Sequence, residues 1–165
     1  MSRGFVKETD QESMPIIPPR AALPDGVTNY VTAHGLEELR TEKEALIAEQ
    51  QEALKLEAGH DKRYALGMLA GKIKLLEERL ATARLLPKTS AAPTSVRIGT
   101  SVTYTQNGKS HTLHITGVDE ADVAQNKVAF IAPIARALIG KEVGETATFY
   151  LGNEQREMTI TSITS

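Results

Sequence analysis

The spacing of apolar residues along the chain changes character twice. The most regular stretch is "KRYALGMLAGKIKLLEERLATARLL". There Leu66, Leu69, Ile73, Leu76, Leu80 and Ala83 recur at steps of three and four. That is the seam of an amphipathic helix that packs on another helix. A looser version precedes it in "YVTAHGLEELRTEKEALIAEQQEALKLE". Leu36, Leu39, Leu46 and Ala53 hold its seam, and Lys43 and Gln50 interrupt it. Thr32 stands where an N-cap is expected, and Pro87 is expected to end the second helix. Between the two lies a short break at "AGHD". Two heptad-patterned helices joined by so short a break predict an antiparallel helical hairpin. Each arm has about 25 residues, or roughly 37 Å. Narrow seams bury little, so such a hairpin works as a probe, a lever or an oligomerisation handle, unless its seam packs on the rest of the chain.

After "PKTSAAPTS" the period becomes two. "TSVTYT" and "SHTLHITGV" flank Asn107-Gly108 and read as a β-hairpin. "KVAFI" reads as a short strand. "APIARALIG" reads as a short helix, with Pro133 in its first turn and Gly140 beyond its end. Its Ile134, Leu138 and Ile139 are expected to pack on the sheet. "ATFYL" and "REMTITSI" pair around "GNEQ". The fold class is therefore α+β: an N-terminal helical hairpin, then a small antiparallel sheet domain with one helix. The expected organisation is a mobile Pro-rich tail at 1–29, the hairpin at 30–87, a linker at 88–95 and the sheet domain at 96–165. Four of the seven prolines fall in the tail. Its apolar island "MPIIPPR" is expected to dock on the body in preference to a partner.

Composition narrows the function. A net charge of −2 gives no overall reason to bind nucleic acid. The absence of cysteine excludes disulfides, thiolate metal sites and a Cys nucleophile, and fits a reducing cytosol. "MSRGFVKETDQ" lacks a signal peptide's apolar core, and no run is long enough to span a membrane. The expectation is a soluble cytoplasmic monomer.

Chemistry of its own is hard to find. His34, His60, His111 and His114 are scattered, and a spacing of three on a strand puts the last two on opposite faces. There is no phosphate-binding loop. The acids of "VDEAD" (118–122) are expected to cap a turn. No metal or catalytic set stands out.

Several segments, in this order, resemble the bacterial Gre transcription factors: "YVTAHGLEELRTE", "GKIKLLEERLATARLL" and "ITGVDEADVAQNKVAFIAPIARALIGKEVGE". The resemblance runs from about residue 30 to the end, and "GVDEAD" followed by "PIARALIGKEVG" is its most specific part. It implies an FKBP-like C-terminal domain docked at the secondary channel of RNA polymerase, with the hairpin inserted toward the active centre. Nucleic acid, DNA included, would be met only indirectly, within the elongation complex. In the family, two acids at the hairpin tip help hold a second Mg²⁺, and the polymerase itself hydrolyses the RNA. Such a protein is not an enzyme. It has no cofactor of its own, and Mg²⁺ enters only if the tip acts with the polymerase active site.

The tip departs from the family pattern. That pattern resembles G-D-x-x-E-N-A-[ED]-Y, and this chain has "GHDKRYAL". Asp61 stands for the first acid, displaced by one position. The place of the second falls on Arg63 or Tyr64. Glu57 lies four residues earlier and is outside the motif. Lys62 and Arg63 beside the single acid oppose recruitment of a cation. The hairpin is also shorter than in the cleavage factors by about two turns per arm, roughly 11 Å of reach, as in Rnk-like members. Three roles for the tip (Glu57, His60, Asp61, Lys62, Arg63) stay open: metal delivery, entry into the channel without cleavage, and simple chain reversal. The resemblance places polymerase docking at Ala132, Pro133, Arg136 and Lys141. Readings from other classes are an FKBP-type prolyl isomerase, with a pocket drawn from Tyr104, Phe130, Phe149 and Tyr150, and a coiled-coil adaptor.

Overall fold

The computed structural model describes residues 13–165. Strand β1 (Tyr30–Val31) leads into helix α1 (Ala33–Leu54), and helix α2 (His60–Thr82) returns to strand β2 (Arg84–Leu85). Thr32 is the N-cap of α1, its hydroxyl accepting from the Gly35 N–H at 3.0 Å. That satisfies one of the donors a helix start leaves free. The two arms meet along the expected seam. Val31, Leu39, Leu46, Ala53, Leu69 and Leu76 form its buried core, flanked by Leu36, Leu66, Ile73 and Leu80.

α2 ends at Thr82, short of the expected stop at Pro87. The backbone beyond it is claimed by a parallel pairing with β1, in which Arg84 N–H donates to Asn29 O and Leu86 N–H to Val31 O. Buried Asn29 closes the helix end, its side-chain amide donating to Arg79 O at 3.0 Å and to Thr82 Oγ1 at 3.2 Å. This clasp at the hairpin base was not expected from the sequence. Strands of two residues carry no readable period.

The C-terminal unit is a five-stranded sheet in the order β5-β4-β3-β7-β6. Its strands are β3 (Ser101–Gln106), β4 (Lys109–Thr116), β5 (Lys127–Ala129), β6 (Thr146–Leu151) and β7 (Glu154–Thr164). β3 and β4 turn at Asn107 (φ 51°) and Gly108 (φ 74°), the paired left-handed geometry that an Asn-Gly hairpin supplies. Two expectations need correction. The sheet is not wholly antiparallel, because β5 pairs parallel with β4. The connection between them contains two short 3₁₀ turns, at Val118–Glu120 and Val123–Gln125. The turn between β6 and β7 is also tighter than "GNEQ". Leu151 already pairs with Glu154 around Gly152, whose φ is 64°.

Helix α3 (Pro133–Leu138) covers this sheet, with Pro133 at its start and Gly140 (φ 88°) beyond its end. Ala135 and Leu138 are fully buried with Val102, Ile115, Met158 and Ile160, and Ile134 packs at the margin. Ile139 was expected to join them and does not. It remains 36% exposed, because the helix stops at Leu138 and the chain turns away there.

Candidate functional site: the hairpin tip, the α3 face and the joint between them

The tip is open to solvent. The loop between the arms carries Glu57, exposed, and α2 begins at His60 after an extended Gly59. Asp61 lies in the first turn of α2, where the helix dipole favours a negative charge. It is therefore well placed to start a helix whether or not it meets a cation. Lys62 is half-buried behind it, and Arg63 follows with its backbone N–H donating to Gly59 O. His60 and Tyr64 stack loosely, ring centres 6.0 Å apart. Leu54, Leu56 and Tyr64 make this end partly apolar, each more than a third exposed.

The donor set does not fit a Mg²⁺ site within this chain. Among the described residues no three His, Cys, Asp or Glu side chains come together in a group able to hold a metal. The histidines are dispersed. His34 faces Glu38 at 3.0 Å, His111 lies against Tyr104, and His114 Nδ1 is 2.5 Å from Ser101 Oγ.

The α3 face presents Pro133 and Arg136, both exposed and one turn apart. Ala132 is the N-cap and is partly buried against the sheet core. Lys141 follows Gly140. Its carbonyl accepts from Val96 N–H at 2.8 Å, and its ammonium is 4.0 Å from Glu145. Of the four residues, Pro133 and Arg136 share a surface, while Ala132 and Lys141 frame it. Exposed Ile139 and Val143 add apolar area nearby in sequence.

Of the aromatics wanted for an isomerase pocket, Tyr104, Phe130 and Phe149 serve the sheet core and Tyr150 lies outside it. Tyr104 is a core residue, 5% exposed, and burial pushes its phenol pKa up. Phe130 meets Tyr30 edge-on at 6.1 Å, and Tyr150 is 65% exposed.

Sequence reasoning missed the joint. The "VDEAD" acids do cap turns, since Glu120 accepts from Gly117 N–H and Asp122 from Ala124 N–H. Two of them also bind the hairpin. Glu120 is buried and accepts from the Thr32 hydroxyl at 2.5 Å. The hydroxyl that caps α1 thus donates its own hydrogen bond to the sheet domain. Asp119 accepts from Arg20 Nε at 3.0 Å, and Arg79 Nε lies 3.3 Å from its other oxygen, as an ion pair without hydrogen-bond geometry. Arg20 also grips Glu42 of α1 with both terminal nitrogens, at 2.7 and 3.0 Å. Over its described part the segment expected as a mobile tail makes these contacts with the body, while Met14 and Ile16 of its apolar island stay exposed. Residues 1–12 lie outside the described residues. A lone arginine in an apolar, Pro-rich stretch was the available signal, because such a charge needs a partner when the stretch docks.

A cleft of about 800 Å³ opens where the hairpin base, the linker and the sheet meet. Tyr30, Leu86, Pro87, Ile98, Phe130 and Ile139 supply its apolar walls.

The architecture is a two-helix hairpin joined to a small sheet domain, with exposed surfaces at both ends. Comparison with known proteins gives the family. Residues 91–165 match the family described as "Transcription elongation factor, GreA/GreB, C-term". A GreA from Alkalilimnicola ehrlichii is 34% identical over 150 residues, covering 81% of this chain and 95% of that protein. A GreA from Nitratidesulfovibrio vulgaris is 36% identical over 118 residues, covering 67% and 74%. The chain belongs to the GreA/GreB family of transcription elongation factors. Among solved structures, a GreA/GreB factor from Nitrosomonas europaea aligns at 19% identity and a TM-score of 0.42, covering 82% of this chain and 98% of that one. No helix among the described residues is long and apolar enough to cross a membrane.

Proposed function

We propose that this factor binds RNA polymerase through the α3 face and projects its hairpin into the secondary channel, regulating elongation by occupancy and not by metal delivery. Its partner is the polymerase, and it carries no catalytic site of its own. The observation that carries the reading is the tip: one acid at a helix start, with Lys62 and Arg63 beside it and no second acid in the motif. Occupying a channel needs only a projecting shape, which a two-helix hairpin supplies even when short. Holding a second catalytic Mg²⁺ needs several converging oxygens.

Transcript cleavage in stalled, backtracked complexes tests this directly. The protein, and separately its Asp61→Ala variant, should leave the cleavage rate at the polymerase's own level while changing elongation through pause sites. Cleavage that rises with the protein and falls with Asp61→Ala would overturn the occupancy reading. Docking is tested separately. The double variant Pro133→Ala, Arg136→Ala should bind polymerase about tenfold more weakly or worse, the scale of one good interface contact. Unchanged affinity would remove α3 as the docking face.

A further inference from the structure

The described N-terminal segment is fastened at points along α2 from Gly67 to Arg79. Pro15 lies over Gly67, its Cγ 3.1 Å from where a Cβ would stand there. Ile17 fills the space that a side chain at Gly71 would need. Further on, Arg79 donates to Ala21 O at 2.5 Å. The segment therefore runs alongside α2 from mid-helix toward the base, seated in a notch that two glycines one turn apart leave open.

Its position matters because most of the other joints are crowded together; the Arg79–Asp119 ion pair, at 3.3 Å, is a further contact that does not pass through Arg20. The β1–β2 clasp, the Thr32–Glu120 bond and the Tyr30–Phe130 contact all lie at the hairpin base. The covalent link, "PKTSAAPTS", is rich in small residues and proline. A rod held at one end can pivot there. A second hold further along its axis stops the pivot. Glu42 is ten residues beyond Thr32 on α1, about 15 Å along the helix. Arg20 reaches it bidentately and at the same time donates to Asp119 of the sheet domain. The Asp119 side chain is 6% exposed and that of Arg20 17%. A carboxylate so far from water depends on its cations, which makes this contact specific.

We infer that residues 15–23 are a clamp that fixes the direction in which the hairpin leaves the sheet domain, with Arg20 as its closing contact. The clamp acts on the geometry of the free protein and does not depend on which partner the hairpin enters. It turns a pivoting arm into an aimed one.

The chain contains no cysteine, so spin labels at Glu57→Cys on the tip and Thr148→Cys on β6 report one distance. Both positions are exposed and outside the clamp. With Arg20 present, the distance distribution should be a single narrow peak. In Arg20→Ala that peak should be lost to a broad distribution, while circular dichroism keeps its helical signal. A narrow peak unchanged in Arg20→Ala would overturn the clamp. Should Arg20→Ala lose its helical signal, Glu42→Gln carries the test with the same two outcomes, because it weakens the same bidentate contact from a partly exposed helix surface.

Discussion

Replacing Leu76 with alanine is expected to destabilise the protein by about 3 kcal/mol, the lower part of the range for a buried leucine truncated to alanine. Leu76 is fully buried at the centre of the hairpin core. Its loss removes apolar contacts from Leu69, Leu46, Leu39 and their neighbours and leaves a void that two crossing helices cannot fully close. Two helices and a strap collapse more readily than a many-layered core, which places the value low in the range. The comparison is Ile47, on the same hairpin but 40% exposed. Ile47→Ala should change stability by about 0.5 kcal/mol or less. Urea melts followed by circular dichroism would give both values. Equal effects at the two positions would mean that the seam is not the hairpin's core.

Glu120→Ala is expected to cost about 2–3 kcal/mol, the scale of hydrogen bonds to a buried charged group. The change strips an acceptor from the Thr32 hydroxyl and from the Gly117 N–H. Gly117 is itself buried, so its N–H has no ready access to water. The effect should reach α1, because Thr32 caps that helix and Glu120 places negative charge at its positive end. Glu120→Gln keeps the shape and one acceptor, and should cost distinctly less. The packing is close here too. A Cβ on Gly35 would overlap the Glu120 side chain, which explains a glycine in the first turn of α1. Amide hydrogen exchange should localise the damage of Glu120→Ala to the start of α1 and to residues near Gly117. Damage confined to the sheet domain would show that the carboxylate serves only its own turn.

Both predictions concern residues whose types were legible and whose partners were not. Leu76 announced itself through the three-and-four spacing of its neighbours, because a helix forces that period on any sequence that buries one face. Asn107-Gly108 announced a hairpin because few residues accept two successive positive φ angles. Pro133 and Gly140 bracketed α3 for similarly local reasons. The tip was equally readable. Asp61 without a second acid in the motif is a fact of the sequence, and the structure places it in the exposed first turn of α2.

The sequence by itself determined the two long helices, the main strands, the order of hairpin and sheet, the narrow seam and the incomplete tip. Each follows from the periodicity or backbone demands of residues close together in the chain. Only the tertiary structure decided how the parts are held. Arg20 and Asp119 are 99 positions apart, and Thr32 and Glu120 are 88 apart. Polar groups at such separation pair only after the chain has folded, so no local pattern records them. The end of α2 at Thr82, the parallel edge strand β5 and the exposure of Ile139 belong to the same group. In each case local preference left more than one outcome open, and contacts with distant backbone or the way the chain turns chose among them.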